Sequence, residues 1–315
     1  MTHGAGRVGI ATTTACALLV GVPLAAQSAQ RPDTAFTRAV IEYTTDPHFL
    51  PASVDSLPLD PKVPSPQQYF GTIIGAPGVM HHTTEIYGYF AALAKATPRV
   101  ALDTLGRSEE GRAIILVIVG DSATVARRNA YRELTARLAD PRTLPASELD
   151  RVLDRAKPIY YVNAGLHSAE MGSPEMVMEL AYRLAVDDRP AIARIRDNVL
   201  VLINPVSEPD GRDKQVDWYD RYTKSRKVWD DGFPRSSPYW GKYIFHDNNR
   251  DGIQMTQAVT KTTDAAFYTW HPTVMHDLHE SIPLLYVSTG TGPYNEYTDP
   301  ITIGEWQTMA NNDIR

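Results

Sequence analysis

Hydrophobic residues form two kinds of pattern along this chain of 315 residues. In some stretches they make short, continuous runs rich in branched side chains, which is typical of strands buried in a sheet. Polar turn sequences bound these runs, such as the GRSEEGR stretch between the first two. The runs predict six strands, at 99–108, 111–120, 158–165, 198–205, 273–279 and 284–288.

Between the strands, apolar residues recur at the spacing of one helix face. A further helix is expected to follow the Ser173–Pro174 pair, which fits a cap with a first-turn proline, and to run to about Val186. The long polar and aromatic region 206–250 is expected to be mostly loop. The helical spacing itself predicts helices at 81–98, 123–141 and 145–156.

The order of these elements predicts the fold class. Strands that alternate with helices favour an α/β fold with helices on both faces of the sheet. We therefore expect three α/β/α layers around a mixed, largely parallel sheet. The chain shows no internal repeat.

The N-terminal 29 residues have the features of a signal peptide. Arg7 precedes an apolar stretch at 17–26, and small residues offer a cleavage site near Ser28 or Ala29. This apolar stretch is too short to span a bilayer comfortably, so stable membrane insertion is not expected. Export to the periplasm or the medium is the prediction, and a tether through an uncleaved segment 10–29 is the alternative.

The remaining chain divides into an arm and a domain. Residues 30–80 are rich in proline and polar residues and are expected to form an extended N-terminal arm with few regular elements. Residues 81–315 carry the alternating strands and helices and are expected to form one domain.

Composition and charge limit the partners and the catalytic groups that the chain can have. The formal net charge is −6 and no run of five basic residues occurs, so a nucleic acid is not expected as a partner. Cys16, the only cysteine, lies inside the predicted signal peptide. The exported chain would then have neither a thiol nucleophile nor a disulfide, and a metal would be bound by His, Asp or Glu.

His167 and Glu170 stand three residues apart where a predicted strand leads into a predicted helix. A hydrolytic zinc site needs three protein ligands and one position for water, and the third ligand is usually remote in sequence. Because ligands bind at the carboxyl ends of strands in open α/β sheets, a histidine after another strand could join this pair. The later candidates are His246, His271, His276 and His279.

Five motifs, in the same order, resemble those of the metallocarboxypeptidase family, the carboxypeptidase A-like zinc exopeptidases. The resemblance covers roughly residues 80–290, and Glu208 stands where the family usually has Asn. The motifs are TLGRSEEGRAI (104–114), HSAE (167–170), NPVSEPDGRD (204–213), HDNNRDG (246–252) and MHDLHES (275–281).

The resemblance implies a metal site with one Zn²⁺ ion. His167, Glu170 and His279 would bind the ion, with water in the fourth position. Asp247 would hydrogen-bond to His167 and fix its tautomer. His276 is expected to pack within its strand, because it has the opposite strand parity to His279.

The resemblance also implies a substrate site. Asn249 and Arg250 would bind the terminal carboxylate of a peptide or protein, and a guanidinium suits that anion because it can donate two charge-assisted hydrogen bonds. Without the flanking motif, a surface salt bridge of Arg250 with Asp247 or Asp251 would be the simpler interpretation.

Two further catalytic groups of the family are harder to assign. An arginine stabilises the oxyanion in the family, and Arg226 is the candidate here, with Arg221 as the alternative. The family's general base is a glutamate several tens of residues after the third ligand, which follows a tyrosine that closes over the substrate. Glu280, Glu296 and Glu305 all come too early, so we expect an N-terminal fragment of a longer protein, without its general-base Glu.

The predicted function is therefore a zinc metallocarboxypeptidase that hydrolyses the C-terminal peptide bond of peptides or proteins. One alternative is a zinc-dependent deacylase or amidohydrolase of N-acyl amino acids on the same scaffold. Another is a catalytically incomplete relative that only binds peptides.

Overall fold

A computed structural model describes most of the chain. The predicted signal peptide, the predicted strand at 284–288 and the oxyanion candidate Arg226 lie outside the described residues. The described ranges are 30–50, 56–224, 237–242, 245–280 and 296–313.

The five strands of the described chain form one sheet with the order β1-β2-β4-β3-β5. Strand β3 pairs in parallel with β4 and β5, whereas β2 pairs antiparallel with β1 and β4. The predicted mixed α/β sheet is confirmed. The strands are β1 (Val100–Arg107), β2 (Ala113–Val119), β3 (Ile159–Asn163), β4 (Leu200–Asn204) and β5 (Val274–Asp277).

Helices connect and cover these strands. The 3₁₀ turns of the described chain are Pro47–Phe49, Pro141–Thr143, Ala146–Glu148 and Asn248–Arg250. Its α-helices are α1 (Thr34–Tyr43), α2 (Pro66–Phe70), α3 (Thr83–Ala96), α4 (Ser122–Ala126), α5 (Arg128–Ala139), α6 (Leu149–Leu153), α7 (Gly172–Val186), α8 (Pro190–Asn198), α9 (Pro209–Tyr222), α10 (Ala258–Trp270) and α11 (Pro300–Asp313).

The central strands β2, β3 and β4 are buried on both faces, which explains why they are apolar at consecutive positions. In β4, Val201 and Ile203 belong to a hydrophobic cluster with α3 and α7 on one face. Leu200 and Leu202, which alternate with them, pack on the other face in a cluster that includes Trp270 of α10. The predicted three layers are therefore confirmed.

The N-terminal arm at 30–80 packs against the domain and contributes to its core. It contains the ten-residue helix α1 and the short helix α2, so it has more regular structure than predicted. Phe36, Leu57 and Ile73 of the arm are buried in the same cluster as α3 and α7.

The prediction that 206–250 is mostly loop is wrong for its first third, where α9 spans 14 residues. Half of the buried residues of this helix are polar, namely Asp210, Arg212 and Gln215, so it has no apolar stripe at helical spacing. The local signals were present, because the Glu208 side chain caps the helix and Pro209 occupies its first turn.

The two helices predicted at 123–141 and 145–156 are interrupted in the structure. The first divides into α4 and α5 at Arg127, whose backbone leaves the helical region. Only the middle of the second, α6, is α-helical. No helix in the described part of the chain combines the length and apolar character needed to cross a membrane.

The parallel pairing of β4, β3 and β5 positions the candidate site. Since these strands run in one direction, their carboxyl ends lie at the same edge of the sheet. Asn163, Asn204 and Asp277 are the last residues of the three strands. The segments that follow them carry the motif residues His167, Glu208 and His279.

Candidate metal centre

The turn after β3 places His167 and Glu170 side by side. Gly165 adopts a φ of +67°, and a Cβ there would lie 2.8 Å from Cγ of Pro174, so glycine is needed at this turn. The N–H of Glu170 donates to the carbonyl of His167 (2.9 Å), which closes the next turn. Ser173 lies within the first turn of α7 and does not cap it, and its hydroxyl instead accepts the N–H of Gly165.

His279, two residues beyond β5, meets this pair in space. Nδ1 of His167 lies 2.9 Å from one carboxylate oxygen of Glu170, and Nδ1 of His279 lies 2.9 Å from the other. The two imidazole rings have centroids 4.7 Å apart. One nitrogen or oxygen from each of the three residues lies within 4.8 Å of the other two.

The donor set of these three residues fits a zinc ion. Two imidazoles and a carboxylate are ligands that zinc takes in hydrolytic sites, at about 2.0–2.2 Å. Atoms bound to one ion at those lengths must lie a few ångströms from each other, as the donor atoms of His167, Glu170 and His279 do. We find no other such group of His, Cys, Asp or Glu in the ranges that the structure describes.

The other candidate histidines have different partners. Nδ1 of His276 lies 3.0 Å from the Tyr160 hydroxyl, and the histidine is exposed rather than packed within its strand. Nε2 of His246 lies 2.8 Å from the carboxylate of Asp251. His271 ends α10 in a left-handed conformation. None of the three belongs to the cluster around Glu170.

A carboxylate holds the far nitrogen of each candidate histidine ligand. Oδ1 of Asp247 lies 3.0 Å from Nε2 of His167, as the family resemblance implies. Partial burial opposes ionisation of Asp247, but hydrogen bonds from His167 and the Asn249 N–H outweigh it and lower its pKa. Asp277 lies 3.1 Å from Nε2 of His279 and raises the pKa of that histidine to about 9, against the effect of burial.

Asp277 is itself held by a buried amide network that the sequence reasoning missed. Asn163 donates to Asp277 (2.8 Å), and its own oxygen accepts from Asn204 (3.1 Å) and Ser207 (2.5 Å). Asn163 and Asn204 are paired neighbours at the ends of β3 and β4. A signal was present in the sequence, because both apolar runs end in asparagine.

Asn249 and Arg250 lie beside the cluster in an exposed 3₁₀ turn. The Asn249 side-chain nitrogen lies 3.2 Å from Nε2 of His279. The Arg250 guanidinium donates only to the neighbouring carbonyl of Asn249 and forms no ion pair within the described residues. A surface salt bridge of Arg250 with Asp247 or Asp251 is therefore not what the structure shows.

The remaining candidate residues differ in their relation to the site. Arg226 lies outside the described residues, and Arg221 stacks on the ring of Tyr222 near the end of α9. Glu280 donates its backbone N–H to Glu170, while its carboxylate accepts the N–H of Gly172 (2.6 Å). Glu280 thus supports the turn that carries Glu170.

Glu208, which stands where the family usually has Asn, caps helix α9. It is almost fully buried, and its carboxylate accepts the N–H of Gly211 (3.1 Å) as the cap of α9. Burial raises the pKa of Glu208 to about 7, against the effect of that hydrogen bond.

Comparisons with known proteins bear on this arrangement. The family model described as zinc carboxypeptidase matches residues 86–250, just over half of the chain. No curated protein matches the chain.

Three solved structures are similar to the chain at low identity. Carboxypeptidase A from Helicoverpa armigera is 15% identical over 65% of this chain and 46% of its own, with a TM-score of 0.42. A metallo-carboxypeptidase from Burkholderia cenocepacia is 18% identical over 64% and 42%, with a TM-score of 0.41. Thrombin activatable fibrinolysis inhibitor is 14% identical over 69% and 49%, with a TM-score of 0.43. The chain spans less than half of the length of each.

Proposed function

Since the chain belongs to the zinc carboxypeptidase family, we propose that it is a zinc-dependent metallocarboxypeptidase that hydrolyses the C-terminal peptide bond of peptides and proteins. The convergence of His167, Glu170 and His279 at the carboxyl edge of the sheet is the observation that carries this proposal. It brings together three residues that are up to 112 positions apart in the sequence.

One zinc ion is the cofactor in this proposal. His167 and His279 would bind it through Nδ1, and Glu170 through its carboxylate. Bound zinc would act as a Lewis acid, polarising the scissile carbonyl and lowering the pKa of its water to about 7. Asp247 and Asp277 engage the Nε2 atoms of the two histidines, which leaves each Nδ1 to face the metal position.

Arg250 and Asn249 would bind the terminal carboxylate of the substrate. Arg250 is exposed and forms no ion pair at contact distance within the described residues, which supports its role in binding an anion. The side-chain nitrogen of Asn249 lies 3.2 Å from Nε2 of His279, so this donor stands beside the proposed metal position, where it can donate to the bound carboxylate. Because an internal peptide bond carries no such anion, this pair would restrict the enzyme to chain ends.

Arg226 is the proposed donor to the oxyanion of the tetrahedral intermediate, with Arg221 as the alternative. We propose no general base among the described residues. Glu280, which directly follows His279 in the sequence, accepts a hydrogen bond from the N–H of Gly172.

A substrate comparison tests the proposed function. The zinc-loaded protein, expressed from its complete reading frame, is offered short peptides with a free C-terminal carboxylate, the same peptides as C-terminal amides, and N-acyl amino acids. We expect hydrolysis of the free peptides only. Cleavage of N-acyl amino acids alone would indicate the deacylase, and zinc-dependent peptide binding without turnover would indicate the peptide-binding relative.

We further propose that the protein is exported. Removal of residues 1–29 would release the protein to the periplasm or the medium, with neither stable membrane insertion nor a nucleic-acid partner. N-terminal sequencing of the product from an expressing cell tests this, and a product that still begins at Met1 would contradict it.

A further inference from the structure

A tryptophan packs against the ring of a candidate metal ligand. The ring of Trp240 lies 4.4 Å from the ring of His167, with 37° between their planes. The indole also stacks on the ring of Tyr239, with centroids 4.2 Å apart and 28° between the planes. Trp240 is half-buried, and its Nε1 atom is buried without a hydrogen-bond partner among the described residues. The indole is therefore placed by ring packing and not by a hydrogen bond of its own.

The backbone around Trp240 is fastened to two elements of the site. The hydroxyl of Ser168, next to His167, donates to the carbonyl of Trp240 (2.7 Å). From α9, Lys214 donates to the carbonyls on either side of Trp240. Gln215 donates to the carbonyl of Pro238 (2.7 Å). Residues 238–241 are thus tied to the His167 turn and to α9 together.

Gly211 allows this close approach. A Cβ at Gly211 would lie 2.2 Å from the carbonyl oxygen of Trp240 and 2.5 Å from the hydroxyl of Ser168. No side chain fits in that space without displacing the backbone of residue 240. The glycine therefore determines how near Trp240 can lie to His167.

His167 is already held at both edges of its ring. Nδ1 faces Glu170 and Nε2 faces Asp247, and both of these contacts lie at ring nitrogens. Contacts at the ring edge restrain tilting of an imidazole less than a flat surface packed against its face. The indole of Trp240 packs against the imidazole at an angle of 37° and supplies a ring surface for this purpose.

We propose that Trp240 is a positioning residue for His167, which holds the imidazole at the orientation that zinc requires. This inference rests on the proposed zinc site. It predicts that shortening the Trp240 side chain weakens zinc binding although Trp240 donates no atom to the metal. It also predicts that a smaller aromatic ring at residue 240 largely preserves zinc binding.

Zinc affinity of the full chain tests the inference, measured by competition with a chromophoric chelator. We expect Trp240→Ala to weaken zinc binding about 10- to 100-fold, the range typical of residues that orient metal ligands. Trp240→Phe should stay within about threefold of the wild type, because a flat ring remains. Trp306→Ala, which removes a partly exposed indole on α11, is the matched control and should bind zinc as the wild type does.

A fluorescence measurement checks the proximity of Trp240 and the metal independently of affinity. Co²⁺ bound at the centre should quench the emission of Trp240, so Trp240→Phe should lose most of the Co²⁺-dependent quenching. Trp270→Phe, in the hydrophobic cluster on the other face of the sheet, should keep it. If Trp240→Ala does not fold, Trp240→Leu replaces it in the affinity series.

The outcomes separate this inference from the proposed function. Wild-type zinc affinity in a folded Trp240→Ala or Trp240→Leu chain would overturn the role of Trp240 and leave the zinc site standing. Equal losses in the Ala and Phe variants would also overturn it, because the flat ring would then not matter. Absence of zinc binding by the wild-type chain would overturn the zinc site and this inference together.

Discussion

Oδ2 of Asp277 lies 3.1 Å from Nε2 of His279, two residues further along the chain. The contact spans the end of β5, so one short segment supplies both a candidate zinc ligand and the carboxylate that orients it. Asp247 orients the other candidate ligand, His167, through the same kind of contact, but from a distant loop. Each candidate histidine ligand thus has a carboxylate at its Nε2 atom, and the two carboxylates come from unrelated parts of the sequence.

Replacing Asp277 tests this relationship. Asp277→Asn should weaken zinc binding about 10- to 100-fold, because the neutral amide holds the His279 ring less firmly and makes Nδ1 a poorer ligand. Equilibrium competition with a chelator measures the change. The matched control is Asp299→Asn, an exposed carboxylate just before α11, which should leave zinc affinity unchanged. Equal affinities of the Asp277→Asn and wild-type chains would show that the contact is not needed.

Arg250 should recognise the charge at the end of a peptide. Replacing it by alanine removes charge-assisted hydrogen bonds worth about 1.5–3 kcal/mol each, so a peptide with a free C-terminus should bind at least about tenfold more weakly. The C-terminal amide of the same peptide should bind the two proteins alike. Calorimetric titration of both peptides gives the comparison. Arg194→Ala, on α8, is the control, and an equal loss for acid and amide would argue against the assignment.

Much of the fold and part of the candidate site could be predicted from the sequence. Continuous apolar runs revealed β2, β3 and β4, because strands covered on both faces must be apolar at every position. Helix α9 was missed because Arg212 and Gln215 are buried through polar contacts, which leave no apolar stripe. Apolar residues recur at helical spacing where a helix packs on a hydrophobic core. The buried side of α9 instead carries the polar residues Asp210, Arg212 and Gln215.

The same limit applies to the candidate site. His167, Glu170 and His279 were predicted from motifs and strand ends, and the structure brings them together. Asn163 and Trp240 were not predicted. Their partners lie 114 and 73 positions away in the sequence, and only the strand register and the position of α9 bring them close.

The buried ion pair of Arg212 and Glu175 should contribute strongly to the free energy of unfolding. Arg212 is fully buried and donates to Glu175 and to the carbonyls of His81 and Met171. Glu175→Ala leaves that guanidinium without its carboxylate and should lower the free energy of unfolding by about 3–5 kcal/mol. Urea denaturation measures this. Glu148→Ala, which breaks exposed ion pairs only, should shift the midpoint little, and similar midpoints for both variants would contradict the prediction.

Glu208 should make stability depend on pH. Its pKa rises from an ordinary 4.5 to about 7 in the folded chain. The unfolded chain therefore releases this proton first, and the free energy of unfolding contributed by Glu208 falls as pH rises from about 4.5 to about 7. Glu208→Gln keeps an oxygen to cap α9 and removes the titration, so its stability should decline less across this window, by up to about 3 kcal/mol. Parallel pH curves for the two proteins would show that Glu208 titrates normally.

Direct identification of the zinc ligands tests the central claim. Metal analysis of the purified chain should give one zinc ion per molecule, and X-ray absorption at the zinc edge should show two imidazoles and at least one oxygen ligand. The variants His167→Ala, Glu170→Ala and His279→Ala should each lose the ion, whereas His276→Ala should retain it with an unchanged spectrum. Full zinc content with an unaltered spectrum in His279→Ala would contradict the account.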